Sequence, residues 1–411
     1  MQTSLPQALL QTRAGMEADE ILRNCVHCGF CNATCPTYQL TGDELDGPRG
    51  RIYQIKQVLE GHAPTARTRL HLDRCLTCRA CETTCPSGVD YHRLLDTGRE
   101  LVEQAVQRPW QERLLRRTLR FILPWPARFT PLLRLGQGVR PLLPAALKRQ
   151  IPARRKLTAF NPEQQHSRRV LLLDGCVQPA LAPQINLATR RVLDALGITA
   201  VTAADSGCCG ALSHHLSAMH EALGFMRRNI DAWWPEIETG VEAIVVTASG
   251  CTPMLQDYGR LLADDADYAD KAARVTALTR DISEVIAGAD ATDVFALPVR
   301  QHRIAFHSPC SLQHAQRRGG TVEGILSGLG FELLPVADSH LCCGSAGTYS
   351  ILQPRLATQL RDNKLAALQA GQPDIIATAN IGCLTHMASH AAAPVKHWIE
   401  LLEPLLKQKE Y

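Results

Sequence analysis

Residues 25–36 read CVHCGFCNATCP, and residues 75–86 read CLTCRACETTCP. Each stretch sets three cysteines two residues apart, a fourth three residues further on, and a proline immediately after it. A tight loop of this spacing turns three thiolates toward one point and leaves the fourth beyond the loop's reach, on a departing segment. Pro36 and Pro86 fix their own φ and bias Cys35 and Cys85 toward extended backbone, so the chain leaves the loop at once.

Working outward, the whole chain has 411 residues, 45% of them apolar and 20% charged, enough for two or three ordinary cores. The net charge of +4 is small for that length, and no polybasic tail or aromatic-basic repeat accompanies it, which argues against a nucleic-acid partner. The first residues mix acids and polar groups among apolar ones, without the apolar block of a signal peptide. One long uncharged run, Ile375 to Val395, holds Asn380, His386, His390 and Pro394, and reads as a buried strand and loop rather than a bilayer span. The expected location is therefore the cytoplasm, where sixteen cysteines are reduced and metal is their default use.

The two twelve-residue stretches follow the bacterial ferredoxin run for 4Fe-4S clusters. Structural zinc uses paired knuckles rather than triplets closed by Cys-Pro, so zinc is the weaker reading. Because the fourth cysteine serves the other cluster, the expected ligand sets are crossed: Cys25, Cys28, Cys31 and Cys85 for one cluster, Cys75, Cys78, Cys81 and Cys35 for the other. Two centres sharing ligands this way lie close together, as electron transfer requires and a folding staple does not.

Between the motifs, Ile52, Ile55, Val58 and Leu59 recur at helical spacing after Gly47-Pro48, and Leu94, Leu95, Leu101, Val102 and Val106 continue the period beyond Cys85. An all-helical two-cluster module over 1–107 is predicted. Arg49 and Arg51 stand near enough to influence the clusters, but a solvated helix face is the expected place for both. A basic run with aromatics, broken by prolines at 124, 126, 131, 141 and 144 among others, follows from Arg108 to Lys156; the segment 108–166 is read as a linker that lies on an anionic membrane surface, docks a partner subunit or covers the helical module.

The remainder is duplicated. Cys176, Cys208-Cys209-Gly210 and Cys251 are matched by Cys310, Cys342-Cys343-Gly344 and Cys383, and each copy alternates short apolar strands with helical segments. The order predicts two parallel α/β domains, 167–295 and 296–411, each with its cysteines just past strand carboxyl ends, where such sheets assemble sites. Neighbouring cysteines point to opposite faces of an extended chain, so each doublet needs a special turn, which Gly210 and Gly344 can supply. No dinucleotide fingerprint or Walker loop is found; Gly319-Gly320 and Gly328-Leu329-Gly330 are isolated.

The duplicated Cys-Cys-Gly pattern resembles the cysteine-rich "CCG" domains of heterodisulfide reductase and of iron-sulfur subunits of lactate and glycolate oxidation. Together with GDELDGPRGRIY, DAWWPEIE, HLCCGSAGTYS and TANIGC, it makes the chain similar from end to end to the iron-sulfur subunits of glycolate oxidase (glycolate dehydrogenase). The resemblance implies an electron-transfer subunit with two 4Fe-4S clusters and no flavin, inert alone. It would take single electrons from FAD-containing subunits that oxidise glycolate to glyoxylate and pass them to a quinone or another acceptor. The membrane-surface reading of the basic run would add peripheral contact with the cytoplasmic face of the inner membrane. A related lactate complex, or a disulfide or quinone reductase using the Cys-Cys-Gly sites, is the alternative. One departure stands out: the fuller family pattern ends each copy with C-x-x-C, but Cys251 is followed by Thr-Pro-Met254 and Cys383 by Leu-Thr-His386. Metal or an iron-sulfur centre held by the remaining cysteines, with His386 as substitute ligand, and an empty structural domain are both consistent with that loss.

Overall fold

A computed structural model describes residues 1–155, 157, 160, 165–289, 294–296 and 302–407. Lys156, the segments flanking the expected boundary at 295/296 and the last four residues lie outside them.

The N-terminal part is helical, as its apolar spacing predicts. Thr12 caps the helix Arg13–Asn24 by accepting from the Gly15 amide, and the helix buries Ala18, Ile21 and Leu22. Pro48 occupies the first turn of the helix Pro48–Leu59, where its missing N–H costs nothing. That helix packs against Tyr91–Ala105 so closely that a Cβ on Gly98 would stand 2.6 Å from the Ile55 side chain. Ile52, Ile55, Leu59, Leu94, Leu95 and Val102 form one core with the buried Cys25, Cys75 and Cys81, so helix packing and cysteine placement are coupled.

The basic segment folds into helices Trp110–Ile122 and Pro126–Val139, with Pro126 at a helix start and Pro131 inside the second helix. Its inner side joins the helical module to the first duplicated copy. Arg108 bonds Asp73, Glu103 and Glu112, Arg116 reaches Asp73, and the Trp125 and Phe225 rings lie 5.3 Å apart. Its outer side leaves Trp110, Leu114 and Phe121 exposed along one helix face with Arg117.

Each copy contains a four-stranded parallel sheet of the same order. Strands β1 (Arg168–Leu173), β2 (Ile198–Val201), β3 (Ala243–Val246) and β4 (Thr279–Asp281) are arranged β2-β1-β3-β4. Strands β5 (Arg303–His307), β6 (Glu332–Leu333), β7 (Ile375–Thr378) and β8 (Val395–His397) are arranged β6-β5-β7-β8. Helices cover the sheets, which explains why Val170–Leu173 and Ile375–Thr378 are buried runs rather than alternating ones. The run Ile375 to Val395 differs from the strand and loop expected: after β7 comes the helix Ile381–Ala388, whose Ile381, Leu384 and Met387 recur every three residues and are buried. The copies share one apolar core and are tied by Ser249 N to Ala379 O at 3.1 Å and by His397 Nε2 with Thr247 O at 3.0 Å. No helix among the described residues is long and apolar enough to cross a membrane.

Candidate metal centres

Both cysteine triplets adopt the same backbone. His27 and Gly29 have φ of 59° and 85°, and the matching Thr77 and Arg79 have 54° and 60°. Left-handed residues at alternate positions curl the loop around a centre, at a cost for side chains other than glycine. Contacts hold the strained pair: Arg99 donates to Thr77 Oγ1 at 3.1 Å, and Arg79 lies 3.3 Å from Asp257. At Gly29 a Cβ would stand 2.9 Å from Arg49 Nη1, so glycine also admits that guanidinium. Cys35 and Cys85 are extended, with ψ of 114° and 116°.

Two recesses result. The first, about 440 Å³ to its mouth, has Cys25, Cys28, Cys31 and Cys85 on its wall; the second, about 300 Å³, has Cys35, Cys75 and Cys78. Cys81 borders both, so the recesses adjoin. No carboxylate lines either one, which disfavours hard oxygen-seeking cations and suits thiolate-bound iron-sulfur clusters. Burial pushes the Cys31 thiol up to about 12 and raises Cys78 and Cys81. These groups are neutral as free thiols, and metal must displace their protons.

The recesses differ in exposure. Cys28 is exposed, and Val26 and Phe30, at 68% and 62% exposure, form an apolar rim at the first. The second is covered by the second copy: Leu76 and Cys78 share an apolar cluster with Cys310, Cys342 and Tyr349, while Thr83 Oγ1 meets His314 Nδ1 at 2.9 Å and Tyr349 donates to Arg74 O at 3.2 Å.

Arg51 corrects the expected solvated helix face. It is 1% exposed, lines the second recess, donates to His71 O at 2.7 Å and Thr37 Oγ1 at 3.1 Å, and lies 3.8 Å from Asp46. Sequence periodicity missed it because the helix buries two faces, one on the apolar core and one on the recess. Arg49 is about one-third exposed and paired with Glu44 at 2.6 Å, but it too lines a recess, the first.

In each copy the structure brings the four cysteines into a chain of contacts. Cys208 meets Cys176 and Cys209, and Cys209 meets Cys251. Cys310 and Cys342 lie 3.8 Å apart, followed by Cys343 and Cys383. Gly210 and Gly344 have φ of 89° and 84°, the left-handed turn each doublet needs, and their amides donate to Cys208 and Cys342 Sγ at 3.5 and 3.4 Å. His386 does not join the second group. Its Nε2 meets the Ala357 carbonyl at 3.2 Å instead. His307, at the end of β5, stands among the thiols.

Adjoining recesses walled by thiols on helices, followed by two parallel sheets that carry thiol groups past their strand ends, define an iron-sulfur protein with a duplicated cysteine-rich domain. Residues 21–89 match the 4Fe-4S dicluster domain, and 170–256 and 304–388 match the Cysteine-rich domain. The chain is 55% identical over 410 residues to the glycolate oxidase iron-sulfur subunit of Escherichia coli, covering 100% of both chains. It is 31% identical over 400 residues to a probable glycolate oxidase iron-sulfur subunit of Bacillus subtilis, covering 90% of this chain and 89% of that one. Lactate utilization protein A of Exiguobacterium matches at 26% over 249 residues, 58% of this chain and 98% of that one. The chain belongs to the glycolate oxidase iron-sulfur subunit family.

Proposed function

We propose that this chain is the one-electron relay of a glycolate-oxidising complex, with Cys25, Cys28, Cys31 and Cys85 holding one 4Fe-4S cluster and Cys75, Cys78, Cys81 and Cys35 the other. The observation that carries the reading is the pair of adjoining recesses walled by thiols and free of carboxylates. Bound there, such clusters supply reversible one-electron chemistry, whereas hydride chemistry belongs to a flavin on separate FAD-containing subunits.

The residues around the recesses fit distinct roles. Val26 and Phe30 offer an apolar rim at the exposed first recess, suited to docking an electron donor. Leu76 and Tyr349 form an apolar cluster with Cys78 of the second, and Arg51 supplies buried positive charge on its wall. The exposed row Trp110, Leu114 and Phe121 beside Arg113 and Arg117 favours peripheral contact with an anionic membrane, the source of a quinone acceptor. Flotation with anionic but not neutral vesicles tests that contact.

The isolated chain is expected to be inert toward glycolate. Added to its flavoprotein partners, it restores glycolate-dependent reduction of a quinone or dye. Glycolate oxidation by the chain alone would overturn the reading.

A further inference from the structure

The two copies diverge at one buried position. Three residues before its first cysteine, the first copy carries Leu173 at the end of β1, and the second carries His307 at the end of β5. His307 is 2% exposed, and neither ring nitrogen has a hydrogen-bond partner. A buried imidazole without partners is costly, which makes it an uncommon replacement for leucine unless something binds it.

What it faces is two thiols. A ring nitrogen of His307 and the sulfurs of Cys343 and Cys383 all lie within 4.8 Å of one another, and all three residues are buried. The Cys342-Cys343 doublet is divided between two environments. Cys342 joins Cys310, Leu76 and Cys78 against the helical module, whereas Cys343 joins Cys383 in the core shared by the two copies. The first copy has Cys209 and Cys251 in corresponding places, with Leu173 in place of the imidazole.

We propose that His307, Cys343 and Cys383 bind one zinc ion, tying β5, the Cys-Cys-Gly turn and the helix Ile381–Ala388 together. Two thiolates and an imidazole are a zinc donor set, and tetrahedral coordination puts such atoms about 3.5–3.8 Å apart, inside the 4.8 Å that bounds all three separations here. Burial and the Lys364 charge lower the His307 pKa to about 3, which leaves the ring neutral with a lone pair to offer. The surroundings agree with a thiolate centre. Asn380 Nδ2 donates to Cys383 Sγ at 3.6 Å, and the buried Lys364, donating to Asp338 O at 2.6 Å, places a positive charge near Cys342 and Cys343, whose raised thiol pKa values mean that a metal must displace their protons. Three protein ligands leave the fourth position for water or a further donor. The inference stands apart from the relay reading, since zinc has no redox chemistry.

The test uses the full chain, purified anaerobically with its clusters. Elemental analysis is expected to find close to one zinc per chain beside the iron. Zinc-edge X-ray absorption of the wild type is expected to show two sulfur neighbours at about 2.3 Å and at least one nitrogen at about 2.0 Å. His307→Leu, the residue of the first copy, and Cys383→Ser should each lower zinc at least tenfold and leave iron unchanged. A wild type without zinc, a four-sulfur shell, zinc that survives both substitutions, or extra iron lost with them would each overturn the proposal. The absorption measurement needs no variant, so a substitution that fails to fold leaves the test intact.

Discussion

Replacing Arg51 with methionine removes a buried cation from the wall of the second recess and keeps most of the side chain's volume. At an effective dielectric constant of about 20, unit charges about 6 Å apart interact by about 3 kcal/mol, or about 120 mV for one electron. Asp46, 3.8 Å from the guanidinium, offsets part of that field, but it is itself bound by Arg74 at 2.7 Å and His71 at 2.8 Å. A net effect of about 50–100 mV remains. Reduction adds negative charge, so loss of the cation should lower the midpoint of the second-recess cluster by that amount and shift the first much less. Arg51→Lys should stay near the wild type, because it keeps the charge. The assay is anaerobic potentiometric titration followed by electron paramagnetic resonance, on variants whose iron content matches the parent. Midpoints unchanged by methionine, or a larger shift in the first cluster, would refute the assignment of Arg51 as its counter-charge.

Three further outcomes follow from the geometry. Cys85→Ala should abolish the signal of the first-triplet cluster and spare the other, and loss confined to the second-triplet cluster would contradict the crossed ligand sets. Gly344→Ala should destabilise the chain more than Gly210→Ala. Both have left-handed φ, costing about 1–2 kcal/mol, but a Cβ at 344 meets Ala357 O at 2.6 Å and Leu360 Cβ at 2.8 Å, adding about 1–3 kcal/mol, whereas at 210 the nearest atom is 3.1 Å away; equal thermal shifts would count against this. Asp281 is fully buried, and burial raises its pKa from 3.8 to about 6. Its folded form therefore holds a proton more tightly than the unfolded one, and the associated stability, present below about pH 4, is lost as pH rises through about 6. Asp281→Asn keeps the cap on the following helix and should exceed the parent's stability by up to about 3 kcal/mol at pH 8, with a smaller gap at pH 5.5; a gap independent of pH would disagree.

The sequence disclosed the features that depend on spacing along the chain. The triplets, the duplication, the parallel sheets and the helices around Ile55 and Leu94 all follow from local periodicity, and the structure contains them. What it concealed depends on three-dimensional convergence. Arg51 sits on a helix whose apolar stripe faces the core, and only the fold shows that the adjacent face is covered by the second recess. His307 could have been found by aligning the two copies, since His-Ser-Pro-Cys310 replaces Leu-Asp-Gly-Cys176, but the resemblance to a C-x-x-C ending drew attention to His386 instead. The basic segment illustrates a third limit. Read as a linker, it is instead helical: Pro126 lies where a helix begins and Pro131 is accommodated inside it. Its arginines on the inner side find Asp73, Glu103 and Glu112, partners distant in sequence or hidden by the helix turn.

The relay is tested most directly by rapid mixing of the assembled complex with glycolate under anaerobic conditions, following flavin bleaching and cluster reduction separately. In the wild type, flavin reduction should precede cluster reduction, and a quinone or dye should then reoxidise both. In Cys28→Ala and Cys78→Ala complexes the flavin should still bleach at the parent rate while electrons fail to reach the acceptor. A flavin that glycolate no longer reduces in those variants, with the complex still assembled, would contradict the relay.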